Sequence, residues 1–380
     1  MIERISNEKG YEGKSKNITL VLTHQCNLDC VYCYEHHKNA CTMSAELAQS
    51  IVDKELSMDD GVSMVEFDFF GGEPLLEFET IKKVVEYTVA KEYDKDYIFF
   101  ITTNGVLLDD ERKEWLKKHS DVLQVGLSLD GTKAMHDENR SGSFDEIDLD
   151  FFKTVYPEES VKMTISLGTL PRLAEGVVFC HDIGYEVSCN LAYGIDWESC
   201  ENQRIFSEQL MELINYYLEN PHIKPCSLLD VNRIKSIASQ EDRSYRLCGA
   251  GYAMRAYDCD GTCYPCQYFL PICVGDEKAK KSLVIDFSSL KLREEQVDDK
   301  CRSCYIRNAC PTCYGNNYAT TGDVYRRDMR ICKMNIIQFR AIAYFAIKRF
   351  EAGMLGEFPK NEQAAILKAA LTIINNLNSD

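Results

Sequence analysis

The chain has 380 residues, with 43 Lys and Arg against 60 Asp and Glu, for a net charge of −17. That balance argues against a phosphate-binding surface, because nucleic-acid partners need clustered cations; it would steer a basic peptide favourably, but an acidic surface mostly serves solubility, which is the stronger reading. Eighteen cysteines would suggest disulfides in a secreted protein. Met1 to Lys16 is charged and polar instead, with no secretory n-region or apolar h-region, and no apolar run is long enough to span a bilayer. The expectation is a cytoplasmic protein in a reducing, oxygen-poor compartment whose cysteines bind metal, with Cys180, Cys189, Cys200 and Cys226 as core thiols.

The first apolar stretch, Ile18 to Leu22, leads into LTHQCNLDCVYCYEHH, which spaces Cys26, Cys30 and Cys33 as C-x3-C-x2-C. Three thiolates can hold a four-iron cluster and leave one iron open to the donor atoms of a small molecule. A zinc knuckle is the other reading, with His24, His36, His37 or Cys41 as fourth ligand, as is a set of ordinary buried thiols. Val65 to Phe70 reads as a short buried strand ending in Gly71-Gly72-Glu73-Pro74. Glycines there expose backbone to a ligand and Glu73 suits an ammonium group, although a capped strand-to-helix turn explains the run as well.

Tyr97 to Thr102 is the next apolar strand and ends in Thr103-Asn104-Gly105; Val122 to Leu127 follows and ends in Ser128-Leu129-Asp130-Gly131. In parallel α/β folds the C-terminal ends of the strands line the ligand crevice, which is where Asn104, Ser128 and Asp130 would sit, unless they are turn formers only. Val161 to Leu167 and Glu186 to Ala192 make two more strands, after helical stretches at Asp145 to Val155 and Leu173 to His181. Six strands with helical crossovers predict an α/β fold, a partial (β/α)6 TIM-like barrel.

Taken in order, CNLDCVYC, FGGEP, TTNG and SLDG resemble a radical S-adenosylmethionine (SAM) enzyme. The resemblance implies that Cys26, Cys30 and Cys33 hold a [4Fe-4S] cluster whose open iron is chelated by the methionine amine and carboxylate. It places Tyr32 by the adenine, Gly71, Gly72 and Glu73 at the methionine amino group, and Asn104 and Ser128 near the ribose and methionine. It implies reductive cleavage of the sulfonium to a 5′-deoxyadenosyl radical that takes a hydrogen atom from substrate, while the protein positions and shields.

Glu201 to Tyr217 and Leu228 to Ser239 read as linking helices, after which the cysteines become dense. Cys248-x12-Gly261-x4-Cys266 encloses a hairpin signal at Asp260-Gly261 and is followed by Cys301-x2-Cys304-x5-Cys310-x2-Cys313 and then Cys332. Spacing alone would suit two zinc sites. The whole arrangement resembles the SPASM extension of radical SAM enzymes, which binds two auxiliary [4Fe-4S] clusters and so brings the cluster count to three. By position, Cys301, Cys304, Cys310 and Cys332 match ligands of the second auxiliary cluster, and Cys248, Cys266 and Cys313 match three ligands of the first. The family spaces the pair at Cys310 and Cys313 by three residues and this chain by two, which weakens the match at Cys313. Gly249 to Met254 lacks the remaining ligand of the first cluster; Cys259, Cys263 or Cys273 would replace it, or the cluster keeps an open iron for a substrate thiolate.

The expected domains are residues 1–17, a short N-terminal segment; 18–225, the partial barrel; 226–245, a linker helix; 246–335, the small auxiliary iron–sulfur domain; and 336–380, C-terminal helices over Asn335 to Phe350 and Asn361 to Leu377. SPASM enzymes mostly modify ribosomally made peptides or proteins. Sulfatase-maturing members carry an aspartate base directly after the Tyr-Pro-Cys run, and here that position is Gln267, whose amide takes no proton. The expected function is a peptide maturase installing an intramolecular thioether or carbon–carbon crosslink, with peptide epimerisation and formylglycine formation as alternatives. A non-catalytic iron–sulfur carrier and a zinc-organised binding module are the rivals from other classes. Expected partners are a ribosomal precursor peptide and an electron donor such as flavodoxin or ferredoxin; since residues 1–17 leave no room for a winged-helix leader-binding domain, leader recognition would need a separate leader-recognition protein, a direct contact with the barrel or C-terminal helices, or no leader at all. Neither nucleic acid nor membrane is expected. His136, Asp137, Arg140, Asp258, Asp260 and Tyr264 are substrate-side candidates that read equally well as turn residues or salt-bridge partners.

Overall fold

A computed structural model describes residues 15–238, 246 and 248–376. Most of the short N-terminal segment and the end of the linker-helix region therefore lie outside the described residues. In chain order the elements are β1 (Ser15–Thr23), α1 (Ala45–Ser57), β2 (Met64–Gly71), α2 (Phe78–Val89), β3 (Asp96–Thr103), α3 (Asp110–Lys118) and β4 (Leu123–Leu127). Then come α4 (Lys133–Asn139), α5 (Leu149–Val155), β5 (Val161–Ile165), α6 (Leu173–Asp182), β6 (Val187–Leu191) and α7 (Cys200–Glu219). The second half holds β7 (Met254–Tyr257), β8 (Cys263–Tyr264), α8 (Pro271–Val274), α9 (Asp276–Ser282), α10 (Tyr314–Thr321), α11 (Cys332–Glu351) and α12 (Lys360–Asn375).

These elements form two compact units, one of residues 15–128, 143–159 and 249–290, the other of residues 129–142, 160–248 and 291–376. In the first, the sheet order is β4-β3-β2-β1-β7-β8, parallel throughout except for the antiparallel β7–β8 hairpin. The hairpin turns at Asp260-Gly261, as the dipeptide predicts, and Gly261 has φ +82°. Strand β1 is buried from Lys16 to Thr23 because it lies between β2 and β7 with both faces covered, which is why it reads as a continuous apolar run rather than an alternating one. Phe67, Phe69 and Phe99 stack in the core beside it, with the Phe69 and Phe99 rings 5.2 Å apart. Each such side chain taken out of water contributes about 1.5–3 kcal/mol.

The second unit pairs β5 with β6 in a two-stranded parallel sheet and packs α11 against α7 and α12. Its polar core centres on the fully buried Asp130, which accepts hydrogen bonds from Arg140 Nε (2.9 Å), Asn139 Nδ2 (3.1 Å) and the Thr164 N–H (2.8 Å). An uncompensated carboxylate there would cost several kcal/mol, so this set of donors is what permits the charge. Among the described residues no helix is long and apolar enough to cross a membrane.

Candidate functional site

The loop after β1 carries Cys26, Cys30 and Cys33, all partly exposed, and a turn closed by the Cys33 N–H and the Cys30 carbonyl (3.1 Å) curls the three thiols together. Burial pushes the Cys26 thiol up to about 11, against a backbone N–H from Leu28 and the nearby Lys38 ammonium, and burial likewise raises Cys33. A cation bound among such thiols would favour their thiolates over the protonated form, so the donor set fits a metal cluster. Lys38 lies close enough to feel all three thiols. Tyr32 sits half-exposed in the turn between Cys30 and Cys33.

The Gly71-Gly72-Glu73 turn is clamped against this loop. The Gly72 N–H donates to the Thr23 carbonyl (3.1 Å) and the Glu73 N–H to the Gln25 carbonyl (2.9 Å). Gly71 has φ +142°, and a Cβ there would meet the Thr23 oxygen at 2.0 Å; a Cβ on Gly72 would meet the Gln25 oxygen at 2.2 Å and the Cys26 Cβ at 2.9 Å. The glycine pair is therefore dictated by backbone approach to the cysteine loop. Glu73, 2 % exposed, accepts from the Leu75 N–H and the Thr103 hydroxyl through Oε1 and from the Asn104 N–H through Oε2. Asn104 in turn donates from Nδ2 to Asn27 Oδ1 (2.8 Å), and the Ser128 N–H donates to the Thr103 carbonyl (2.9 Å). Glu73 and Asn104 thus share one polar network with the cysteine loop, reached through Thr103 and Asn27, which the sequence reading did not single out. Thr103 lies inside TTNG and Asn27 inside CNLDCVYC, but neither carried a signal of its own.

The hairpin unit places Cys266, buried, on the segment where Tyr268 stacks on Tyr34 at 4.7 Å, almost coplanar. Of the three cysteines offered as a replacement ligand, Cys273 lies near Cys266 and Cys33 and donates to the Gln267 carbonyl, Cys263 is exposed and hydrogen-bonds the Tyr257 hydroxyl, and Cys259 faces Cys41. The Gln267 side-chain oxygen is buried with no hydrogen-bond partner.

In the second unit Cys301, Cys304, Cys310, Cys313 and Cys332 line one cavity together with Arg327. It brings together the four cysteines matched to a second auxiliary cluster. Burial, followed by the neighbouring Cys310, Cys301 and Cys304, pushes Cys332 up to about 11. Arg327 donates from Nη1 to Cys310 Sγ (3.1 Å), a cation over the thiols that the sequence reading missed, since an Arg seventeen residues from its partner leaves no local pattern. Burial pushes Cys313 up to about 12, opposed by the Asn316 N–H, and Cys248 lies close to it. Of the substrate-side candidates, Arg140 is committed to Asp130, and Asp258 to His24 at 2.7 Å.

Residues 20–148 match the model of the Radical SAM superfamily. The chain is 34 % identical over 124 residues to a cysteine-type anaerobic sulfatase-maturating enzyme of Clostridium perfringens, covering 30 % of this chain and 32 % of that enzyme. It is 31 % identical over 144 residues to the radical SAM cyclopropyl synthase TigE of Paramaledivibacter caminithermalis, covering 34 % and 30 %. The chain thus aligns with about a third of the length of each. Its fold resembles that of native anSMEcpe with bound AdoMet and Cp18Cys peptide, at a TM-score of 0.67 and 19 % identity over 90 % of this chain and all of the other. The α/β fold and the partial-barrel expectation agree with that likeness, and the superfamily implies SAM and one [4Fe-4S] cluster, which the three-thiol loop fits. Within residues 20–148 the chain is therefore similar to the Radical SAM superfamily domain, the stretch that holds the three-thiol loop and the Gly71–Glu73 turn.

Proposed function

We propose that the chain is a radical SAM/SPASM maturase that installs an intramolecular thioether or carbon–carbon crosslink in a ribosomally made peptide. The observation that carries the reading is the pairing of a three-thiol loop, locked to the Gly71–Glu73 turn, with a second, five-cysteine cavity elsewhere in the chain. Cys26, Cys30 and Cys33 would hold the SAM cluster. Cys301, Cys304, Cys310 and Cys332 would hold one auxiliary cluster, and Cys248, Cys266 and Cys313 would serve another. When bound, the cluster and SAM supply a 5′-deoxyadenosyl radical that abstracts hydrogen.

The chain's own residues position and shield. Glu73 is held by three donors and Asn104 by Asn27, which supports a fixed Glu73 carboxylate as the group that would receive the methionine ammonium. Gln267 argues against formylglycine formation, because an amide cannot accept the substrate proton. An electron donor such as flavodoxin or ferredoxin and a leader-recognition protein would complete the system, in the cytoplasm. The test is anaerobic incubation of reconstituted protein with SAM, reductant and candidate precursor peptides, followed by mass spectrometry. A peptide two hydrogens lighter supports crosslinking; unchanged mass with solvent deuterium uptake would replace it with epimerisation.

A further inference from the structure

Beside the cysteine loop, three metal-ligating side chains converge that the cluster assignments do not explain, and a fourth, Cys41, is hydrogen-bonded to one of them. His24 stands two residues before Cys26, and Asp258 and Cys259 enter the β7–β8 turn. A His24 ring nitrogen, an Asp258 carboxylate oxygen and Cys259 Sγ all lie within 4.8 Å of one another, and all three residues are buried, at 2 %, 5 % and 4 % exposure. The thiols of Cys259 and Cys41 are hydrogen-bonded, and the His24 N–H donates to the Cys41 carbonyl (3.0 Å), which fixes Cys41 beside the group. His24 Nδ1 is buried and has no hydrogen-bond partner.

From this we infer a mononuclear zinc site formed by His24, Asp258 and Cys259, with Cys41 as the fourth donor. Two thiolates, an imidazole and a carboxylate are the donor types zinc prefers, and the sulfur pair disfavours magnesium or calcium. The grouping is sized for one atom: donors on a tetrahedral zinc with bonds of about 2.0–2.3 Å stand roughly 3.3–3.8 Å apart. Ligation through the ring nitrogen that faces Asp258 therefore needs the 2.7 Å His24–Asp258 contact to open by about 0.6–1.1 Å, which side-chain rotation can supply. The Cys259 N–H donates to Asp258 Oδ1 (2.8 Å), which already holds the carboxylate in place. The ion ties the end of β1, from which the cysteine loop departs, to the hairpin that leads to Cys266. This assignment removes Cys259 from the candidate ligands of the auxiliary cluster, and it stands whether or not the peptide-crosslinking reading does.

The test is metal analysis and zinc K-edge absorption spectroscopy on full-length protein, expressed anaerobically with zinc and iron supplied and reconstituted to its full iron content. The structure predicts about one zinc per chain, ligated by two sulfurs and two lighter atoms. In Asp258→Asn and Cys259→Ser the zinc falls at least tenfold while iron is unchanged, and in Cys41→Ser one sulfur is lost from the zinc shell. Wild-type protein without zinc would overturn the site, as would zinc retained in Cys259→Ser or a Cys41–Cys259 disulfide in the alkylated, denatured wild type. The spectrum of the wild type alone decides the question should a variant not fold.

Discussion

Replacing Gly72 by Ala probes the contact on which the Cys26–Cys33 loop depends. The new Cβ would stand 2.2 Å from the Gln25 oxygen, 2.5 Å from the Gln25 carbonyl carbon and 2.9 Å from the Cys26 Cβ. Relief requires about 1 Å of separation, since carbon contacts settle near 3.5–4.0 Å, and the obstacles are backbone atoms that cannot rotate away. That displacement breaks the Gly72–Thr23 and Glu73–Gln25 backbone bonds, now 3.1 and 2.9 Å. Each is worth about 1 kcal/mol and overpacking adds about 1–3 kcal/mol, for a loss of about 3–5 kcal/mol, at least roughly a hundredfold in the folded-to-unfolded ratio. Anaerobic urea unfolding by circular dichroism would show a lower midpoint at unchanged slope, and iron bound to the loop would fall because Cys26 moves with Gln25. Gly356→Ala, whose Cβ meets nothing closer than 3.9 Å, is the control and should change stability by under about 0.5 kcal/mol. A Gly72→Ala protein with the wild-type midpoint and full iron would refute the clamp.

Further outcomes follow from the second unit. Asp130→Asn removes the carboxylate that Arg140, Asn139 and the Thr164 N–H share, leaving Arg140 buried without its counter-charge, and denaturant unfolding should show a loss of about 3 kcal/mol. Burial, aided by Arg140, depresses His136 to about 4. The unfolded chain therefore binds a proton between about pH 6.5 and 4 that the native state refuses, so stability is complete above pH 6.5 and falls by about 3 kcal/mol as pH drops through that window. In His136→Gln that share of the pH slope should vanish. Arg327→Met removes the guanidinium bonded to Cys310; potentiometric electron paramagnetic resonance should find one cluster with a lowered reduction potential, because the cation stabilises the more negative reduced state. An unchanged potential would mean that Arg327 does not face a cluster.

Strands ending at TTNG and SLDG, and the hairpin at Asp260-Gly261, were legible because each needs only local pattern: a short apolar run closed by turn chemistry. The register of that hairpin was not. Nothing in MRAY says that it pairs parallel to β1 through Asn17 to Leu20, a partner more than two hundred residues away. Hydrogen bonding also divides the six expected strands into a parallel run β1–β4 and a separate β5–β6 pair, a distinction that apolar runs cannot carry. The glycines of GGEP were read for ligand access, whereas their immediate physical cause is the oxygen atoms of Thr23 and Gln25, visible only once β1 and β2 lie side by side. Cysteine spacing identified the groups by sequence, but which thiol faces which neighbour depends on long-range packing. Cys259 beside Cys41 and Arg327 beside Cys310 are both products of that packing.

The central claim, that Cys26, Cys30 and Cys33 support reductive cleavage of SAM, is tested most directly by quantifying 5′-deoxyadenosine from anaerobically reconstituted protein with SAM and dithionite. The account predicts 5′-deoxyadenosine and methionine in equal amounts from the wild type, and none above background from Cys26→Ala, in which Cys301, Cys304, Cys310 and Cys332 are untouched and would still bind their proposed share of iron. Intact clusters with no 5′-deoxyadenosine from the wild type, or undiminished product from Cys26→Ala, would contradict it.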